Sequence, residues 1–360
     1  MICRCLRHPC GGGSNLSQDI SYPHEELPAA GSTTAVAPGI EWLRMPLPFA
    51  LDHINLWLLE DGADRVAVDT GIALEPVKEA WKSVLASLQP KGRLTRQIVT
   101  HFHPDHLGLA AWLERETGAP LAMTLGEYTV AQLVAHQVPP FDIASMVGFF
   151  RMHGLDAERI AALERRGNAY RSGVPAIPTS YRRLIDGDVL AIGGRDWRVI
   201  TGHGHAPEHA SLYCDSLRVL ISGDMLLPRI STNVSAFASS PDCDALGLFL
   251  ASIQSLKALP ADTLVLPSHG RPFRGLHGRV DDLVAHHAAR CEDLLGACAT
   301  PQSAAELIPV LFPREISDAH QTMFAMGEAI AHLTHLEQAR PAPRLERVTE
   351  NGIIRFRKVQ

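Results

Sequence analysis

The chain has 360 residues, 46% hydrophobic and 20% charged, with a formal net charge of −6 and a pI near 6.3. That balance is globular, and its mild acidity offers no general attraction for nucleic acid or anionic membrane. No run approaches the roughly 20 apolar residues of a membrane span, and the N-terminus lacks the apolar stretch of a secretory signal, so a cytoplasmic protein is expected.

Residues 1–38, rich in Gly, Ser and Pro, read as an irregular leader. Cys3, Cys5, His8 and Cys10 lie within it, but the Gly-rich run that follows and the lack of a second ligand cluster argue against a zinc knot. The seven cysteines are odd in number and loosely spaced, which argues against a disulfide framework.

From Ile40 the texture becomes short apolar strands, turns and amphipathic helices. Ile54–Glu60 and Arg65–Asp69 read as a strand pair joined at Asp61-Gly62. Glu75–Leu88 has helical spacing, with Val77, Ala80, Trp81, Val84, Leu85 and Leu88 on one face. Gln97–Thr100 is a short strand running into His101. A helical insert follows at about 127–181, carrying Phe141, Met146, Phe149, Phe150, Met152 and Tyr170. It suits either core packing or a lid over a site that selects the substrate.

A second strand-rich unit comprises Val189–Ile192, Trp197–Thr201, Ser211–Cys214 and Val219–Ser222, then a helix over Ala245–Leu259 and a strand at Thr263–Leu266. Two such halves suggest helices on both faces of two packed sheets. Beyond Pro267 the pattern predicts a helix over Val280–Cys298, a capping box at Ser303…Glu306 and a helix over Asp318–Gln338. A hairpin turning at Asn351-Gly352 completes a winged-helix outline. The expected organisation is therefore a catalytic domain over 39–278 and a C-terminal region over 279–360.

Four motifs carry chemistry, each directly after a predicted strand. His101-Phe102-His103-Pro104-Asp105-His106 packs four potential metal ligands into six residues, with Pro104 stiffening the loop. Gly202-His203-Gly204-His205-Ala206-Pro207-Glu208-His209 is the second, Gly223-Asp224 the third and Ser268-His269 the fourth. With 18 histidines in the chain, any one cluster alone is a weak signal. Four clusters at strand ends are hard to explain without metal. Spacing alone leaves open which of His203, His205 and His209 would be a ligand.

His-Phe-His-Pro-Asp-His resembles the HxHxDH signature of the metallo-β-lactamase superfamily. Gly204-His205-Ala206-Pro207-Glu208-His209 is similar to the Gly-His-Thr-Pro-Gly-His segment of its glyoxalase II-like members, and Asp69-Thr70-Gly71 resembles an earlier family motif. The resemblance runs from about residue 45 to 275 and implies an αββα sandwich. The C-terminal region is similar to the winged-helix appendage of some members. The resemblance further implies one ion on His101, His103 and His205 and a second on Asp105, His106 and His269, with Asp224 bridging. It selects His205 over its neighbours, leaving His203 to touch substrate or support a ligand and His209 as structural. Mixed imidazole and carboxylate donors suit two divalent ions, zinc first, with manganese or iron compatible. A metal-bound hydroxide would be the nucleophile, oriented by Asp105, with Asp69 supporting the ligand loops. His53 and Asn233 are candidate pocket residues, with ordinary hydrogen bonding the alternative.

The implied activity is hydrolysis of a small ester, thioester or lactone. Glu208 stands where glyoxalase II has glycine, and no glutathione-binding helical domain is evident. Competing readings are a phosphodiesterase or ribonuclease, a mononuclear iron persulfide dioxygenase and a non-enzymatic binding module. From Arg271 onward 11 Lys+Arg balance 11 Asp+Glu, so the C-terminal region lacks a phosphate-binding face and is expected to serve packing or self-association, including a possible homo-oligomer.

Overall fold

A computed structural model describes residues 20–359 apart from 50, 315 and 317. The cysteine-rich start, Cys3 to Cys10, lies outside the described residues. The first sheet has seven strands in sequential order: β1 (Thr33–Ala37), β2 (Ile40–Pro46), β3 (His53–Asp61), β4 (Asp64–Val68), β5 (Leu94–Ile98), β6 (Leu121–Thr124) and β7 (Arg182–Leu184). The leader expected to be irregular through residue 38 therefore contributes an edge strand, because Thr33–Ala37 finds antiparallel partners along β2. The second sheet contains β8 (Val189–Ile192), β9 (Arg195–Gly202), β10 (His209–Cys214), β11 (Val219–Gly223) and β12 (Leu264–Pro267), with β12 at one edge and β8 at the other.

Between the sheets Trp42, Trp57, Val66 and Val68 meet Trp197, Val199, Leu212 and Ile221, all buried. The outer face of the first sheet is covered by α1 (Glu75–Leu88) and α3 (Ala110–Thr117), whose Val77, Trp81, Val84 and Leu113 are buried as helical spacing demands. A short α2 (Pro104–Leu107) precedes α3, and α4 (Leu125–Ala135) opens the insert. The outer face of the second sheet carries α8 (Ala245–Ser255) and α9 (Leu276–Ala297). This is the expected αββα sandwich.

Onto that same outer layer pack two further groups. From the insert come α5 (Ile143–Met152) and α6 (Ala157–Arg166), while α7 (Tyr170–Gly173) packs against α2 and α4; from the C-terminal region come α10 (Ala304–Leu311), α11 (Ala319–Glu337) and the hairpin of β13 (Leu345–Glu350) and β14 (Ile353–Lys358). Ser303 and Glu306 form both halves of the capping box at α10, and Asn351 and Gly352 take the positive φ values of a tight hairpin turn. Helix α9 starts at Leu276 and so crosses the boundary expected at 278.

Phe149 and Phe150 are buried in one continuous core with α8, α9 and α11, so the lid reading fails for these two side chains. The insert and the C-terminal region share this core, with α5 against β14 and α6 against α11. Truncating Phe150 to Ala should cost about 3–5 kcal/mol of stability, measured by denaturant unfolding. An unchanged midpoint would remove Phe150 from the core.

Candidate metal centre

Every candidate ligand follows the carboxyl end of a strand. Asp69 follows β4, the His101 loop follows β5, His205 follows β9, Asp224 follows β11 and His269 follows β12. Rigid scaffold thus delivers ligands from both sheets to one end of the sandwich. Gly204 sits at φ +96, and a Cβ there would run into the Ala245 carbonyl. Only glycine lets the chain turn His205 inward at this point.

The donors converge in two groups, His101, His103, His205 and Asp224 in one and Asp105, His106 and His269 in the other. In the first, His101 Nε2 lies 2.9 Å from His103 Nδ1 and 3.2 Å from His205 Nε2. Asp224 Oδ2 stands 3.5 Å from His205 Nε2 and 4.0 Å from His101 Nε2. In the second, Asp105 Oδ2 lies 3.4 Å from His269 Nε2 and 3.7 Å from His106 Nε2. Asp224 Oδ1 is 3.5 Å from His269 Nε2 and 3.6 Å from His106 Nε2, so this carboxylate turns one oxygen to each group.

Three of the imidazoles are oriented from behind. Asp69 Oδ2 accepts from His106 Nδ1 at 2.8 Å and Asp69 Oδ1 from the Thr100 backbone N–H, also at 2.8 Å. The His205 Nδ1–H donates to the Asn233 carbonyl at 2.7 Å, and the His269 Nδ1–H to the His53 carbonyl at 2.8 Å. These partners leave Nε2 of His106, His205 and His269 as the inward lone pair. Among the described residues His106 Nε2 and Asp224 Oδ1 are buried with no hydrogen-bond partner. Buried polar atoms go unpaired only at a cost, so convergent lone pairs of this kind fit a divalent cation.

The two candidate pocket residues play other parts. His53 accepts from the Gly270 N–H through Nε2 and faces Asp52 through Nδ1, bracing the His269 loop from below. Asn233 uses its carbonyl on His205 while its side-chain Nδ2 donates to Glu328 of α11 at 2.8 Å. Next to it the Ala236 N–H donates to the Gly327 carbonyl, so α11 clamps the segment that orients His205. His203 turns away, its Nδ1 on the Pro207 carbonyl. His209 opens β10 and accepts the Asp224 N–H through Nε2 at 3.1 Å.

Sequence reasoning missed Glu127, Asn55, Thr100 and Tyr170. Glu127, fully buried, accepts from the backbone N–H of Phe102 and of Glu208, tying the first two ligand loops together. Burial pushes its carboxyl up to about 8. Glu208, the departure from the glyoxalase II pattern, accepts the Gly126 N–H and so belongs to that tie. Asn55 accepts the Trp42 indole N–H and donates to the carbonyls of Pro267 and Gly270, fixing the His269 loop. The Tyr170 hydroxyl donates to the Phe102 carbonyl. None of these has a motif; each is defined by burial and partners.

Burial and the neighbouring imidazoles hold His101 well below its ordinary range, and His103 falls to about 3. Both are therefore neutral, the form that ligates. Burial also opposes charge on His106, but the carboxylates of Asp69, Asp105 and Asp224 overcome it and raise its pKa well above 6.5. Against its own burial Asp105 is drawn down to about 2 by His106 and His269. A proton on His106 Nε2 must leave before that atom can ligate, so metal affinity should rise as pH climbs above 6.5, with proton release. Calorimetry in buffers of different ionisation enthalpy measures both. Affinity flat with pH above 6.5 would refute the assignment of Nε2.

The profile described as "Metallo-beta-lactamase superfamily" matches residues 50–269, and one described as "Metallo-beta-lactamase-like, C-terminal domain" matches residues 291–359. A crystal structure of a beta-lactamase domain protein from Burkholderia ambifaria is 46% identical, with a TM-score of 0.86 over 94% of this chain and 98% of that one. A hydroxyacylglutathione hydrolase of Cereibacter sphaeroides is 25% identical over 55% of this chain and 56% of its own length. The human acyl-coenzyme A thioesterase MBLAC2 is likewise 25% identical, over 53% of this chain and 65% of its own. Among the described residues no helix is long and apolar enough to cross a membrane. With the sandwich, the ligand loops at its strand ends and the profile over most of both, the chain belongs to the metallo-beta-lactamase superfamily and is a metallo-hydrolase.

Proposed function

We propose that the protein hydrolyses a small thioester or ester, using two divalent ions, zinc in the first instance. The observation that carries this is Asp224, whose two oxygens face two complete donor groups. Such a pair of ions supplies Lewis acidity and lowers the pKa of a water towards neutrality. His101, His103 and His205 would hold one ion, Asp105, His106 and His269 the other, and Asp224 both. Asp105 is the more exposed of the two carboxylates, which suits it to orient the attacking water and accept its proton. Asp69 and the backbone carbonyls of Asn233 and His53 hold Nδ1 of His106, His205 and His269 and so turn each Nε2 inward.

Thioesters are placed first because two relatives, a hydroxyacylglutathione hydrolase and an acyl-coenzyme A thioesterase, are named for them. A C-terminal region without excess positive charge speaks against a nuclease. The test is elemental analysis of the purified protein together with a panel of thioester, ester, lactone and phosphodiester substrates. Two equivalents of metal with thioester turnover support the reading. One equivalent, or turnover of the phosphodiester alone, would replace it.

A further inference from the structure

Three segments anchored to the metal loops meet beyond them. The loop between β2 and β3 has its base at Pro46 and His53, and His53 braces the His269 loop. Phe49 in that loop is half-exposed and stacks on His320 of α11, ring centroids 5.5 Å apart. Arg166 ends α6, four residues before the Tyr170 that holds the Phe102 carbonyl, and its Nη2 donates to His320 Nδ1 at 2.8 Å. Two turns along α11, about 12 Å away, Glu328 reaches back through Asn233 to His205. His320 also lies within electrostatic reach of the Asp105 carboxylate.

Arg166 forms no ion pair among the described residues. Among the described residues no carboxylate lies within 4 Å of it, and it contacts His320 Nδ1 and the Met323 sulfur, the latter at 4.0 Å. Asp318, whose charge acts on it, spends both oxygens on Gln321 at the start of α11. Holding a partly buried guanidinium without a carboxylate is costly unless a ligand supplies the anion. His320, with Nδ1 accepting from Arg166, presents its other nitrogen as a second donor.

We propose that Arg166 and His320 form an anion subsite at the mouth of the metal centre, so that the preferred substrate carries a carboxylate or phosphate on the group remote from the scissile bond, with Phe49 against its apolar stem. This deepens the hydrolase reading and rests on it for the word substrate, while the subsite itself is a binding claim. It is tested without turnover, by calorimetric titration of the zinc-loaded protein with acetate and with succinate, glutarate, adipate and suberate. One carboxylate of each can sit at the metals, and only the diacids offer a second to Arg166. At least one diacid should bind about tenfold or more tightly than acetate, as a charge-assisted hydrogen bond provides. Arg166→Met should erase that advantage with metal content and acetate affinity retained, and Arg166→Lys should keep part of it. If methionine loosens α6, Arg166→Gln, which can still donate to His320, makes the same comparison. Equal binding of acetate and every diacid, or an advantage that survives loss of the guanidinium, overturns the subsite. A diacid preference that depends on Arg166, in a protein inactive on the whole ester and thioester panel, would sink the hydrolase reading alone.

Discussion

Replacing His205 with alanine will cost the protein one bound metal ion per chain, whereas His203→Ala and His209→Ala will keep both. His205 Nε2 stands among the donors of His101, His103 and Asp224, with its Nδ1 fixed by the Asn233 carbonyl. Its removal leaves too few donors to hold an ion at that position. His203 is turned to Pro207, so its loss touches neither donor group. His209→Ala orphans the buried Asp224 N–H and should destabilise the fold by about 1–3 kcal/mol while the metal count stays the same. Elemental analysis and thermal unfolding of the three variants separate these outcomes. Activity of His205→Ala should fall by more than the roughly 10–100-fold typical of residues that only support a ligand. An emptied site in His203→Ala, with His205→Ala fully loaded, would shift the ligand assignment by two residues.

Asp69 should be the most sensitive position among those that do not face the ions. It sits at φ +64, a conformation asparagine tolerates and β-branched residues do not. Its carboxylate accepts from the Thr100 N–H, the Thr100 hydroxyl and His106 Nδ1, all buried. Asp69→Asn should fold but place an amide where His106 needs an acceptor, lowering metal affinity at the second group by about 10–100-fold. Asp69→Ala should in addition cost about 3–5 kcal/mol, because the buried partners lose their anion. Competition with a chelating dye measures the first effect and denaturant unfolding the second. Wild-type affinity in Asp69→Asn would show that His106 is oriented by packing alone.

The sandwich and the convergence of the seven side chains were legible because both are written locally. Strand and helix periods are short-range patterns, and a histidine placed directly after a strand inherits that strand's direction. His53 and Asn233 illustrate what was not legible. Their proximity to the site was inferred, but both act through backbone carbonyls, which every residue possesses and no residue type announces. Glu127 is a lone acid on an ordinary helix until β6 carries it between two loops. The strand at Thr33–Ala37 was hidden because polar, turn-rich composition around it masked five residues that needed only an open edge. Phe149 and Phe150 could have faced a ligand or a helix with equal plausibility, and α9 and α11 decided it.

The clamp of α11 on Asn233 sets an order in time as well as in space. Glu328 is synthesised 95 residues after Asn233, an interval of roughly 5–20 s at ordinary translation rates. Once His269 is made, partway through that interval, the nascent chain holds every donor, yet the carbonyl that fixes His205 has no helix to hold it. The metal centre is thus encoded early and finished late, and an ion captured before α11 docks would meet a ring still free to present either nitrogen.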